Sequence, residues 1–103
     1  MKVALLVEWD NAKDESRYKK YGEQTREPRP EWLEKMVEEG LFKGSGWTDN
    51  TGHVIRWFEF ENMEAFAKLW NHEGWHKRWL RRSPVLDNLR FRLLRPSMSI
   101  PEE

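Results

Sequence analysis

Residues 53–70 read HVIRWFEFENMEAFAKLW, and two periodicities meet inside them. From His53 to Glu61 the side chains alternate. Val54, Phe58 and Phe60 share one face with Arg56, while Ile55 and Trp57 share the other with Glu59. A period of two is that of a β-strand. At Asn62 the pattern changes. Asn62 has a side chain suited to capping a helix N-terminus. Beyond it, in MEAFAKLWN, apolar residues return at helical spacing as Met63, Phe66, Ala67 and Trp70. A strand therefore runs straight into an amphipathic helix.

Upstream, Asp49-Asn50-Thr51-Gly52 is turn chemistry. Leu41 to Thr48 before it reads as a weaker, glycine-interrupted strand at a sheet edge, so the two strands form a hairpin. Glu31 to Glu39 is a short helix with the stripe Trp32, Leu33, Met36 and Val37, introduced by Pro28 and Pro30 and ended by Gly40. Lys2 to Trp9 is a first strand, with Val3, Leu5, Val7 and Trp9 on one face and Ala4, Leu6 and Glu8 on the other. Asp10 to Arg29 is a polar connection with a short helical turn at Asp14–Tyr21, which puts Tyr18 and Tyr21 on one side. Downstream, Leu89 to Arg95 alternates as a last strand that Pro96 ends. The order β-α-β-β-α-β is the ferredoxin-like pattern: a four-stranded antiparallel sheet with two helices on one face. Residues 1–96 are expected to form one such domain, and residues 97–103 a tail. The uncovered sheet face still carries apolar side chains, which predicts a homodimer packed sheet to sheet.

At 103 residues the chain has room for one domain with a modest core. Eighteen basic and eighteen acidic residues cancel, which argues against nucleic acid as a partner. No cysteine is present, which removes disulfides and thiol chemistry and suits a cytoplasmic protein. No apolar run approaches the ~18 residues of a membrane span, so no membrane partner is expected.

The segments HVIRWFEFENMEAFAKLWNHEGWHKRWL and LRFRLLRP, with MKVALLVEW at the start, resemble the small dimeric α+β barrel families. The resemblance covers nearly the whole chain in pattern. It implies a ferredoxin-like homodimer with a pocket between helices and sheet in each subunit. It leaves the chemistry open, because the superfamily holds cofactor-independent monooxygenases, haem-degrading enzymes, isomerases, decarboxylases and dehydratases. The haem-degrading members use an Asn on the first strand and a Trp followed about ten residues later by a His. Here Phe66 stands ten before His76, Leu80 stands ten after Trp70, and the first strand offers Glu8, with Asn11 beyond it. That activity is not carried over, and no cofactor is expected.

His72-Glu73-Gly74-Trp75-His76 matches the H-E-x-x-H of zinc hydrolases, in which two imidazoles one turn apart bind metal and the glutamate activates water. Continued in phase, the preceding helix stripe would reach Glu73, Gly74, Lys77 and Arg78, yet apolar residues resume at Trp75, Trp79 and Leu80. The step from Trp70 to Trp75 rotates the stripe by roughly 140° on an ideal helix. Gly74 weakens the helix by ~1 kcal/mol relative to alanine, and Asn71 is a suitable cap for a second segment starting at His72. The motif thus reads as the joint of a broken helix. No third ligand follows at familiar spacing, where Trp79 and Arg82 stand instead. No metal is expected. The alternative is a metal-dependent hydrolase with ligands His72 and His76 and Glu73 as base; another is a structural or regulatory dimer without a reaction.

Glu73 can instead pair with Lys77 one turn on. His76 faces either a pocket or a packing contact, and it is the best candidate for a catalytic residue. The expected ligand pocket for a small organic molecule comprises Glu8, Trp9, Trp57, Trp75, His76 and Trp79. Charges on the central strands, Glu8, Arg56 and Glu59, need partners or water. Arg90 and Arg92 on the last strand read as a solvated or dimer-rim face, and HKRWLRR as a solvated helix face.

Overall fold

The computed structural model describes residues 1–25 and 28–97. Its elements are β1 (Val3–Asn11), α1 (Glu15–Thr25), α2 (Glu31–Glu38), β2 (Lys43–Thr48), β3 (His53–Phe60), α3 (Met63–Trp70), α4 (Glu73–Arg82), a single 3-10 turn (Ser83–Val85) and β4 (Leu86–Leu94). The strands form one sheet in the order β2-β3-β1-β4, antiparallel at each step. This is the ferredoxin-like arrangement, with the first strand and the hairpin's second strand at the centre.

Register decides what each face carries. Leu5 lies opposite Phe58 and Leu93, Val7 opposite Arg56 and Phe91, and Trp9 opposite Val54. This inner face packs on the helices: Val3, Leu5, Val7, Trp9, Val54 and Phe60 are buried with Leu33 of α2, Phe66 and Leu69 of α3, and Trp75 and Trp79 of α4. Among the described residues no helix packs on the opposite face, which is here called the uncovered face. It presents Ala4, Leu6 and Glu8 beside Ile55, Trp57 and Glu59, with Arg90, Arg92 and Leu94 on one flank. On the other flank Trp47, opposite Ile55, is 67% exposed.

Several expectations change. The turn at Asp14–Tyr21 is an eleven-residue helix, α1, and with the break after Trp70 the described residues hold four α-helices. Arg17 fastens α1 to the far end of the chain: its Nε donates to the Pro84 carbonyl at 2.7 Å and its Nη1 to Asp87 Oδ1 at 2.7 Å. Tyr21 packs on the core while Tyr18 is exposed. β4 begins at Leu86, three residues early, because Asn88 takes a left-handed φ of 56° at a register shift between Glu8 and Asp10 and hides the alternation. The tail expectation falls largely on residues 98–103, which lie outside the described residues.

The helix break is where the phase shift put it, but its caps differ. Asn71 is the C-cap of α3, and His72 is the N-cap of α4, its Nδ1 accepting the Gly74 N–H at 3.0 Å. The stripes are also rotated. Leu69 is fully buried and Met63 half exposed in α3, while Leu80 points to solvent in α4. The indole of Trp32 from α2 sits on this joint, stacked on His72 with ring centroids 4.1 Å apart. A Cβ on Gly74 would come within 2.6 Å of Trp32 Nε1, so glycine here allows a close approach of two helices as well as a bend. At the far end of α2, Gly40 follows the C-cap with φ +71°, the left-handed position that glycine favours.

Candidate functional site

Between α2, α4 and the β2–β3 edge of the sheet lies a cleft of about 640 Å³, within the usual size of ligand pockets, about 300–1,000 Å³. It exists because of β2. The inward positions of that strand are Gly44 and Gly46, opposite Phe58 and Arg56. Side chains there would fill the space: a Cβ on Gly46 would meet Arg56 Nη1 at 2.5 Å. Leu33 and Val37 of α2 form one wall. The aromatic lining meets edge to face: Phe42 with Phe58 at 5.4 Å, Phe58 with Trp75 at 5.7 Å, and Trp75 with Trp79 at 5.5 Å. Such geometry sets ring edges against ring faces and makes a rigid apolar surface.

The charged groups of the cleft are Arg29, Arg56 and Arg78, and no acidic side chain is among the described residues that line it. Arg56 lies over the Trp9 ring at 5.3 Å. Arg82, next to the cleft, lies over Trp79 at 4.9 Å and over Trp9 at 5.4 Å. Burial, and then repulsion from Arg78 and Arg56, push the Arg82 pKa down to about 10, so it stays charged at neutral pH. Cation–π contact with tryptophan partly offsets the lost hydration of such groups. The indole N–H groups of Trp75 and Trp79 are buried without a hydrogen-bond acceptor.

Of the six expected pocket residues, Trp75 and Trp79 line this cleft and Trp9 lies beneath its arginines. Glu8 and Trp57 belong to the opposite sheet face, because adjacent strand residues point to opposite sides. His76 is on the exposed side of α4, where its Nε2 donates to the Trp70 carbonyl at 2.6 Å and its ring meets Trp70 edge to face. A single pocket holding all six does not form. Sequence reasoning missed Arg29, Arg56, Arg78, Phe42 and Phe58 as lining residues. A signal for three of them, Arg56, Phe58 and Arg78, was present: Trp75, Arg78, Trp79 and Arg82 share one helical stripe, and Arg56 shares a strand face with Val54, Phe58 and Phe60.

The H-E-x-x-H residues are each engaged in holding the joint. His72 accepts from Gly74, His76 donates to Trp70, and Glu73 pairs with Lys77, which holds its carboxyl below the ordinary range. Metal binding by the pair would require His72 to give up its acceptor role towards Gly74. Among the described residues no group of three or more His, Asp or Glu is placed to share a metal ion.

The uncovered face has its own polar cluster. Glu8, 8% exposed, meets Arg90 Nη2 at 2.7 Å and Arg92 Nη2 at 3.6 Å, so its charge is paired within the sheet. His53 Nε2 lies 3.7 Å from Glu8, and its Nδ1 donates to Asp10 Oδ1 at 2.8 Å. Asp10 also accepts from Asn88 Nδ2 at 3.0 Å. Glu59 accepts from the Trp57 indole at 3.1 Å. The Asp10 hydrogen bond holds His53 above its ordinary value of 6.5. Protonated His53 therefore contributes stability in full below 6.5, and the contribution is lost as pH rises through the raised folded value. An NMR titration of the His53 ring is expected to show a midpoint above 6.5, moving back towards it in Asp10→Asn. A midpoint at or below 6.5 in the unaltered protein contradicts the pairing.

No family model matches the sequence, and no curated protein matches it. Solved structures do match the fold. SnoaB, a cofactor-independent oxygenase from Streptomyces nogalater, superposes with a TM-score of 0.62 over 98% of each chain at 10% identity. A proposed antibiotic biosynthesis monooxygenase from Deinococcus radiodurans gives 0.64 over 100% of this chain and 99% of its own, also at 10% identity. A NIPSNAP family protein from Agrobacterium tumefaciens gives 0.54 over 93% and 86%, at 14% identity. At these identities the likeness is one of fold: the chain has the ferredoxin-like α+β fold that these structures share. No helix among the described residues is long and apolar enough to cross a membrane.

Proposed function

We propose that the chain is a homodimer joined through the uncovered sheet face, and that each protomer holds a small organic molecule, without a metal, in the cleft between α2, α4 and the β2–β3 edge. The observation that carries this reading is the cleft, open beside a glycine-bearing edge strand and lined by four aromatic rings. Its described lining holds no His, Asp, Glu, Lys or Cys, hence no ordinary general acid or base. The cleft is therefore read as a binding site, where any reaction draws its reactivity from the bound molecule. That one fold neighbour is an oxygenase without a cofactor supports such a use of the fold. The balanced charge supports a protein that does not bind nucleic acid, and a chain without cysteine suits the cytoplasm.

Val37 is exposed and lines the cleft, so enlarging it obstructs the space without opening the core. Titration of ¹⁵N-labelled protein with 2-naphthol, a neutral planar probe, is expected to shift the Trp75 and Trp79 indole and the Gly44 and Gly46 amide resonances. Val37→Trp is expected to weaken that binding about tenfold or more. Shifts confined to the uncovered sheet face, or none at millimolar probe, would overturn the reading.

A further inference from the structure

We infer that α2 is a lid over this cleft, latched at its first turn by the Trp32 indole lying on His72 and Gly74, and hinged at Gly40. What the lid admits rests on the reading of the cleft as a small-molecule site. The opening of the lid is a property of the free protein.

Three observations converge on it. First, α2 is lightly held. Among the described residues its backbone hydrogen bonds run within the helix and to its own flanks, as from the Leu33 N–H to the Pro30 carbonyl and from the Leu41 N–H to the Met36 carbonyl. Its ion pair, Glu31 with Lys35, is internal. Apolar and ring contacts join it to the rest of the fold: Leu33 is buried, Trp32 and Met36 are partly buried, and Val37 is exposed. By contrast α3 and α4 each bury a side chain almost completely, Leu69 and Trp75. Elements with few buried contacts open at low free energy, and lids are drawn from them.

Second, α2 is a wall of the cleft. Leu33 and Val37 line it together with Phe58 of β3 and with Trp75 and Trp79 of α4. A shift of α2 therefore changes the width of the cleft. Third, the two ends of α2 suit a latch and a hinge. Its eight residues span about 12 Å, which separates the two. At the far end Gly40 has φ +71°, and Phe42 just beyond it is buried, so the chain is anchored after the turn. Glycine absorbs backbone rotation with the least steric penalty. At the near end the Trp32 ring stacks on His72, with centroids 4.1 Å apart and planes at 16°. His72 is itself fixed by the Gly74 N–H at 3.0 Å. The indole occupies the place a side chain at Gly74 would take, since a Cβ there would come within 2.6 Å of Trp32 Nε1. One added methyl group would unseat the ring. His72 and Gly74 of the H-E-x-x-H thus serve α2 as a seat.

Hydrogen exchange of the free ¹⁵N-labelled protein, read at one pH, tests the lid. Amides of residues 35–37 in α2 are expected to exchange about tenfold or more faster than those of residues 67–70 in α3. Gly74→Ala is expected to speed the α2 amides about tenfold further. It should leave α4 at least as protected as before, because alanine suits a helix interior better than glycine. Trp32→Ala removes the latch from the other side and is expected to speed the same amides. With 2-naphthol present at about ten times its Kd, the α2 amides of the unaltered protein are expected to slow about tenfold. Amides of α2 as protected as those of α3, or unmoved by both variants, overturn the lid. A probe that binds without slowing them also overturns it and leaves the small-molecule reading in place. A probe that fails to bind at millimolar concentration overturns that reading instead, and faster exchange in both variants still supports the latch.

Discussion

Trp75→Ala is expected to destabilise the domain by about 3–5 kcal/mol, while His76→Ala, one residue away, costs about 0.5–1.5 kcal/mol. Trp75 is 2% exposed and meets Phe58, Trp79 and Phe91 at ring separations of 5.7, 5.5 and 6.5 Å. Its removal takes out a large buried side chain at the point where α4 and the sheet interlock, and the rings around it cannot all close on the void. His76 loses one hydrogen bond to the Trp70 carbonyl and an edge contact, both at the surface. Thermal denaturation followed by circular dichroism checks the pair. Trp75→Ala should lower Tm by at least ~12 °C for a domain of this size, and His76→Ala by well under that. Comparable losses would mean that α4 is rotated from the phase described. The contrast also tests the H-E-x-x-H reading: zinc bound in proportion to protein and lost in His76→Ala would make the histidine pair a metal site.

Leu6→Arg is expected to convert the proposed dimer to a monomer at micromolar concentration. Leu6 sits at the middle of the uncovered face on central strand β1, opposite Trp57 and Arg92. In a sheet-to-sheet dimer a new arginine there would be buried without an acid and next to an existing arginine. Such burial costs several kcal/mol, enough to weaken association by about 100-fold or more. Light scattering should give twice the 12.6 kDa chain mass for the unaltered protein and one chain mass for the variant. Far-ultraviolet circular dichroism should stay unchanged, because the position does not touch the helices. A monomer before substitution would remove the sheet-to-sheet association from the proposal.

The topology was legible because alternation and helical spacing are local. Val3 to Trp9 and His53 to Phe60 show both sheet faces in their own order of residues. The break after Trp70 shows as a shift of phase before any contact is known. α1 was not legible as a full helix, since its polar face dominates and it is held by Arg17 reaching Pro84 and Asp87 about seventy residues away. The start of β4 was hidden for a similar reason: Asn88 in a left-handed conformation interrupts the alternation, and only the Asp10 side chain opposite explains it. At the site, grouping Glu8 with Trp9 and Trp57 with the helix tryptophans conflicted with the period of two that had defined those strands. Where His76 points was not legible, because residues 75 and 76 both lie near the joint and only the rotation of α4 decides which one turns inward.

By itself, then, the sequence determined the order of the strands and of the helices other than α1, the two alternating sets of side chains on the central strands, and the joint at His72–Gly74. Each of these depends on residues within one or two turns of one another. Only the tertiary structure decided where the open space lies and what charge surrounds it. The cleft arises from two absent side chains at Gly44 and Gly46, and its character comes from arginines of the α1–α2 connection, β3 and α4. These come together through packing across the whole chain, and no local period records that.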